Sequence, residues 1–328
     1  MLTSFKLTLL LVFLTALLIH SLKNIAHEYA AKELLSKQMS VEKPRVLINQ
    51  SSGLLDELNV GLLYAAAAYC HKPNLKKWNC KDRCVGDVIV DTIFHDRIKG
   101  ACGYVGIRQE VKEIIVAFRG SLDLMNWVYN LQFASLDYEY PDADGALVHG
   151  GFYATYKTVS DMLLWKINHL MAMEDSKYAG YNLIISGHSL GGALATLLAV
   201  DVKRNILNPI LDNKASGQPF KMKVITFGQP RVGNDIFAYI LKQEFYVKTG
   251  GLNHTVARLV HKNDLVAHLP PVNVGFMHNS HEIWVKNNKE AYDCEDFEGR
   301  EVDCADCTLT YDMTVHLYIW DIHFGPFC

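Results

Sequence analysis

An α/β fold, with a mixed central sheet flanked by helices, is predicted by three features of the 328-residue sequence. Strand-like and helix-like segments alternate from about residue 54 onward. A serine between two glycines, in Gly187-His188-Ser189-Leu190-Gly191, stands where an apolar strand run meets an Ala- and Leu-rich helix. Half of the residues are hydrophobic and the formal net charge is only -3, which makes one sizeable core and a single folded domain the default.

The elements follow in order. Lys6 precedes the apolar stretch Leu7 to Ile19, whose length as a helix is about 20 Å against roughly 30 Å of membrane hydrocarbon. It reads as the core of a signal peptide over residues 1–21, with an uncleaved signal anchor as the alternative. Residues 22–52 are polar, contain Pro44 and lack sustained apolar periodicity, so they read as a propeptide or linker. The domain proper, 53–328, opens with a buried helix over Leu54 to Cys70, marked by the Ala65 to Ala68 run. Strands are predicted at Asp87 to Phe94, Ala101 to Arg108, Glu113 to Phe118, Leu183 to Ser186, Val224 to Phe227 and Ala257 to His261. Helices are predicted at Tyr153 to Met173, Leu190 to Leu207 and Asn234 to Leu241.

Composition narrows the function classes. No basic stripe interleaves with aromatics and no glycine loop is built to cradle phosphate, which argues against nucleic-acid and nucleotide partners. The acidic residues between Glu290 and Asp303 lack calcium-ligand spacing and read as a solvated loop. Cys304-Ala305-Asp306-Cys307 lacks the second pair of a zinc site, so no metal or organic cofactor is expected. Eight cysteines behind a secretory leader predict disulfides, with 105 possible pairings. Cys80 and Cys84 are close enough to close a small loop, as are Cys294 and Cys304, and Cys328 could tie the chain end to the body. Asn49 and Asn253 stand in glycosylation sequons, relevant to a lumenal chain.

Ser189 carries the chemistry. A strained strand-to-helix turn lifts a serine Oγ clear of the sheet, and Gly187 and Gly191 permit the close approach this needs. A hydroxyl is barely ionised at neutral pH, so a nucleophilic serine needs a base and the base an orienting carboxylate. Asp264 follows the strand run ending at His261, and functional side chains gather at the carboxyl ends of strands. His316, in Val315-His316-Leu317-Tyr318, lies near the C-terminus. The order Ser189, Asp264, His316 is that of α/β-hydrolases, although 14 histidines leave other choices, His323 among them. Asp201 and Asp235 lie on predicted helices and read as solvent-facing or helix-dipole partners, while His149, His188 and His278 read as loop braces.

Several ordered motifs carry a more specific resemblance. Val116-Ala-Phe-Arg119-Gly120-Ser121, Val148-His149-Gly-Gly151-Phe152, Gly187-His-Ser-Leu-Gly191-Gly192, Thr226-Phe-Gly228-Gln-Pro230-Arg231-Val232-Gly233-Asn234 and His261-Lys-Asn-Asp264 resemble the class 3 lipases, the family of the filamentous-fungal triacylglycerol lipases. The similarity runs on through Gly275-Phe-Met-His278 and Glu282-Ile-Trp284 to His316-Leu-Tyr318, covering roughly residues 55–328. Ala267 departs from it, since the family often has proline there.

The resemblance implies an α/β-hydrolase fold with Ser189, Asp264 and His316 as catalytic triad, and it favours His316 over His323. It further implies an oxyanion hole from Ser121 and the backbone N–H of Leu190. The segment after Ser121 places Leu124, Trp127, Val128 and Leu131 at i, i+3, i+4 and i+7, with Leu122 just before them. In the family this amphipathic segment is a helical lid that rolls back at a lipid surface. The family's disulfides imply Cys70 with Cys328, Cys80 with Cys84 and Cys294 with Cys304; that leaves Cys102 and Cys307 for a fourth bridge absent from the fungal enzymes, with an exchange of Cys304 and Cys307 as the alternative. The implied function is hydrolysis of acylglycerol esters through an acyl-enzyme, by a secreted or lumenal enzyme acting at a lipid–water interface without an obligate protein partner. Phospholipase A1 and feruloyl-type esterase activity are the catalytic alternatives, and a silent lipid-binding scaffold is disfavoured because no implied catalytic residue is missing.

Overall fold

Runs of aliphatic and β-branched residues become the strands of one large sheet. The computed structural model describes residues 46–48, 53–129, 131–141, 143–173, 175–212, 220–245, 256–279, 281–287, 290–294, 304–308, 310–326 and 328. The leader, Asn49, Asn253 and most of the acidic stretch before Asp303 lie outside them. The strands are β1 (Val46–Leu47), β2 (Ile89–His95), β3 (Cys102–Arg108), β4 (Glu113–Phe118), β5 (Ser135–Asp137), β6 (Leu147–His149), β7 (Asn182–His188), β8 (Met222–Phe227), β9 (Val256–His261), β10 (Glu282–Val285), β11 (Ala291–Cys294), β12 (Tyr318–Ile319) and β13 (Ile322–His323). Nine of them form the main sheet in the order β1-β11-β10-β9-β8-β7-β4-β3-β2.

The sheet is mixed, as expected. β4, β7, β8, β9 and β10 run parallel, and antiparallel strands close both sides. The central strands are covered on both faces, which is why β4 reads EIIVAF and β9 is buried at every residue. Their side chains still alternate. Ile114, Val116 and Phe118 face one core, while Ile115 and Ala117 face the other. Each of the larger side chains, Ile114, Ile115, Val116 and Phe118, contributes about 1.5–3 kcal/mol by its burial.

The α-helices of six or more residues are α1 (Gly53–Ala67), α2 (Leu124–Tyr129), α3 (Gly150–Lys157), α4 (Ser160–Met171), α5 (Leu190–Val202) and α6 (Asp235–Phe245). α1 packs its leucines and alanines on one sheet face, and α3 to α6 cover the other. α5 is buried along its whole length, matching its nearly uninterrupted apolar sequence. The single helix predicted over Tyr153 to Met173 is two, broken at Thr158 and Val159, where the Thr158 hydroxyl bonds the Thr155 carbonyl and the Val159 backbone leaves the helical region.

Three disulfides join Cys70 to Cys328, Cys80 to Cys84 and Cys294 to Cys304. A fourth bridge between Cys102 and Cys307 is not formed, and Cys102 is a free thiol. The sheet order explains why. Cys102 opens β3, whereas Cys307 follows Cys304, which is bonded to Cys294 at the end of β11. Six strand spacings separate β3 from β11, roughly 29 Å at about 4.8 Å each, against the roughly 7 Å limit between bridged Cα atoms.

Candidate active site

Parallel strands put their carboxyl ends on one edge, and the candidate residues collect there. Ser121 follows β4, Ser189 follows β7, Gly228 follows β8 and Asp264 follows β9. Ser189 sits between β7 and α5 with φ 59° and ψ -130°, a strained conformation for a residue with a side chain. The flanking glycines make the turn possible. A Cβ on Gly187 would meet the Gly191 carbonyl oxygen at 2.2 Å, and one on Gly191 would meet the Phe118 carbonyl oxygen at 2.5 Å.

His316 stands on a short 3-10 turn, Thr314–Leu317. That turn is held to the Asp264 loop by the Asp312 N–H, which donates to the Asn263 carbonyl at 2.9 Å. His316 Nδ1 donates to Asp264 Oδ2 at 2.7 Å, and Asp264 Oδ1 accepts the Val266 N–H at 2.9 Å. A carboxylate only accepts, so Nδ1 carries the proton and Nε2 is left as a lone pair. His316 Nε2 and Ser189 Oγ are both buried, and neither has a hydrogen-bond partner among the described residues. Gly228, at φ +53°, provides room for the pair, because a Cβ there would lie 2.7 Å from His316 Cε1 and 2.8 Å from Asp264 Oδ2. His323 does not compete for Asp264. It sits on β13 against the Tyr318 ring.

Behind Ser189 runs a chain of hydrogen bonds that sequence reasoning missed. His188 Nε2 donates to the His316 carbonyl at 2.9 Å, which fixes the tautomer and leaves Nδ1 to accept from the Tyr69 hydroxyl at 2.7 Å. The Tyr69 oxygen in turn accepts the Gly120 N–H at 3.0 Å. His188 stacks on Phe324 at 3.6 Å, and burial holds its imidazole neutral, well below the ordinary histidine range. This chain links the loop before Ser121 to the loop carrying His316. Tyr69 lies 119 residues before His188, and no local pattern marks it. The other two loop histidines brace backbone: His149 Nδ1 accepts the Phe152 N–H at the start of α3, and His278 Nε2 donates to the Ala267 carbonyl at 2.6 Å. Asp201 is buried rather than solvent-facing, because the Tyr138 and Tyr156 hydroxyls donate to it and Arg204 pairs with it.

A cleft of about 680 Å³ opens over Ser121 and Leu190. Leu190 opens α5, so its N–H has no acceptor within the helix. α2 borders this cleft with Leu124 buried, Trp127 stacked on Phe152 at 6.0 Å, and Leu131 packed against the core beyond its end. Val128 is half-buried. Leu122 departs from the amphipathic expectation, since it precedes the helix and is 56% exposed, as is half of Met125.

A serine on a strained turn after a central parallel strand, with an Asp–His pair on the same sheet edge, makes this an α/β-hydrolase. A family model described as "Lipase (class 3)" matches residues 115–274. A lipase of Rhizopus oryzae is 31% identical over 266 residues, spanning 80% of this chain and 62% of the relative. The secreted mono- and diacylglycerol lipase A of Penicillium camembertii is 30% identical over 252 residues, spanning 74% of this chain and 73% of the relative. Among solved structures, a Rhizomucor miehei lipase propeptide complex superposes with a TM-score of 0.72 at 27% identity, covering 87% of this chain and 85% of the other. The chain belongs to the class 3 lipase family.

Proposed function

We propose that this protein is a secreted serine hydrolase that cleaves carboxylic ester bonds of acylglycerols through an acyl-enzyme. One observation carries the reading: the lone pair of His316 Nε2 and the hydroxyl of Ser189, both without a partner among the described residues, are buried at the same sheet edge, with Asp264 holding the imidazole tautomer. Ser189 Oγ attacks the ester carbonyl while His316 Nε2 takes its proton, and His316 then delivers that proton to the departing alcohol. Water repeats the sequence on the acyl-enzyme and frees the fatty acid. Ser121 and the Leu190 N–H receive the oxyanion, a role supported by their shared place in the cleft wall. Asp264 also offsets the imidazolium charge that forms in each step.

α2, with the residues from Leu122 to Leu131, serves as the lid. Its support is an apolar face packed down on Phe152 and the core beside the cleft, which a lipid surface can compete for. Acylglycerol as substrate is supported by the names of the relatives from Rhizopus and Penicillium. Residues 1–21 act as a signal peptide, with an uncleaved membrane anchor as the alternative, and residues 22–52 as a propeptide. The propeptide of the Rhizomucor structure supports the second assignment. Val46–Leu47 pair with β11, so the end of this segment adds an edge strand to the sheet.

The test is fatty-acid release from emulsified triacylglycerol, phosphatidylcholine and a soluble short-chain ester by the purified protein and its Ser189→Ala variant. Serine-dependent release from the emulsion is expected. Equal activity of the two proteins on every substrate would refute the assignment.

A further inference from the structure

A second cavity, of about 390 Å³, adjoins the cleft and shares Arg119 and Leu122 with it as wall. Its lining includes His71, Lys72, His95, Arg97 and Arg119 and, among the described residues, no carboxylate. That is a local excess of positive charge in a chain whose formal net charge is -3. Lys72, Arg97 and Arg119 have no ion-pair partner among the described residues, and Arg119 uses only Nε, donating to the Gly120 carbonyl at 3.2 Å. Acids in the same loops are engaged elsewhere: Asp96 accepts the N–H groups of Lys99 and Gly100, and Asp123 accepts that of Asn126 at 3.1 Å. The β2–β3 turn straddles the two cavities. Arg97 lines the basic one, Lys99 lines the cleft, and Ile98 between them is 88% exposed.

We propose that the basic cavity is a headgroup subsite that takes the phosphate of an anionic phosphoglycerolipid whose acyl ester lies in the adjoining cleft. The inference deepens the ester-hydrolase reading and rests on it for turnover. Arg119 is two residues before Ser121, so the two backbones are at most about 7 Å apart. That spacing suits a phosphate and a scissile ester joined by one three-carbon glycerol. The guanidinium forks of Arg97 and Arg119 match phosphate oxygens in pairs, and Lys72 adds a point charge. Exposed Ile98 and Leu122 flank the basic groups with apolar surface, the combination that seats a protein on an anionic lipid layer.

The experiment compares phosphatidylglycerol with diacylglycerol of the same acyl chains, each in micelles of an uncharged detergent, using wild type and the Lys72→Gln, Arg97→Gln double variant. Each cation near an anionic lipid surface is worth about fivefold in affinity at low salt. The variant should therefore lose about 25-fold in kcat/KM on phosphatidylglycerol and less than twofold on diacylglycerol. Equal loss on both lipids, or none on phosphatidylglycerol, would overturn the subsite. Inorganic phosphate that erases wild-type selectivity for phosphatidylglycerol, at ionic strength matched with chloride, would make this a free-phosphate site and overturn the headgroup assignment. A binding arm needs no turnover. Ser189→Ala protein should sediment with phosphatidylcholine vesicles containing phosphatidylglycerol more than with vesicles containing diacylglycerol, and adding the double substitution should abolish the difference. If no ester is hydrolysed by any variant, the esterase reading fails while this arm still decides the subsite.

Discussion

Tyr69→Phe removes one oxygen from the middle of the hydrogen-bond chain behind Ser189. The ring is 5% exposed and keeps its packing on Phe324, so the change is a polar deletion without a cavity of consequence. Two buried groups lose their partners, the Gly120 N–H and His188 Nδ1. His188 has no remedy by moving its proton, because its Nε2–H is held by the His316 carbonyl at 2.9 Å and the ring is stacked on Phe324. A stranded buried donor or acceptor costs about 1–3 kcal/mol, and the deleted hydroxyl no longer has to be desolvated. We expect a net loss of about 3 kcal/mol, on the order of 6 °C in Tm for a domain of this size. The loops before Ser121 and around His316 lose a shared anchor, so kcat should fall about tenfold with KM nearly constant. Urea denaturation followed by tryptophan fluorescence, together with kcat on a soluble ester, reads both effects. A variant within about 1 kcal/mol of wild type and with unchanged kcat would refute the coupling.

Four further outcomes are expected. Gly228→Ala places a methyl 2.7 Å from His316 Cε1 at a left-handed backbone position; it should cost about 1–2 kcal/mol of stability and at least about 100-fold in kcat, and a kcat within threefold would show that the pair tolerates displacement. Ser121→Ala should lower kcat about 100- to 1000-fold with substrate affinity nearly intact, and a loss confined to KM would remove Ser121 from the oxyanion role. Activity should rise steeply once an ester passes its solubility limit, whereas a plain hyperbola through that limit counts against a working lid. Burial holds His188 and His278 well below the ordinary imidazole range and His149 at about 4. The unfolded chain therefore binds more protons below about pH 6.5, so stability is full above that pH and falls as pH drops toward the folded values, by about 1.4 kcal/mol per histidine per unit. The urea midpoint should fall as pH drops from about 5.5 to 4.5, and a midpoint that is flat across this window would contradict it.

The central strands were legible because burial on both faces demands unbroken aliphatic runs, as in β4, β7 and β8. β10 and β11 were not, although each has four buried or half-buried residues. Glu282 breaks the apolar pattern, and its burial is offset by distant partners: its ladder partner Arg258, paired with it at 2.9 Å across the parallel register, and the Ala305 N–H, which donates to its other oxygen at 2.9 Å. β1 is two residues long and exists by pairing with β11, so nothing local distinguishes it from the polar segment around it. The oxyanion and nucleophile candidates carried local signals in their glycines. Asp264 carried a weaker one, its place just after a strand.

What the sequence determined by itself is whatever local geometry and solvent transfer dictate: an α/β chain, a serine on a strained glycine-flanked turn, and buried strands separated by helices. Tertiary structure decided the rest, because it depends on contacts between distant residues. It chose His316 among 14 histidines by bringing its turn onto the Asp264 loop, and it recruited Tyr69 from the end of α1. It also kept Cys102 and Cys307 apart by sheet order and gathered cations from separate segments beside the cleft. Such juxtapositions follow from how the strands are ordered and the helices packed over them, and no window of neighbouring residues contains that information.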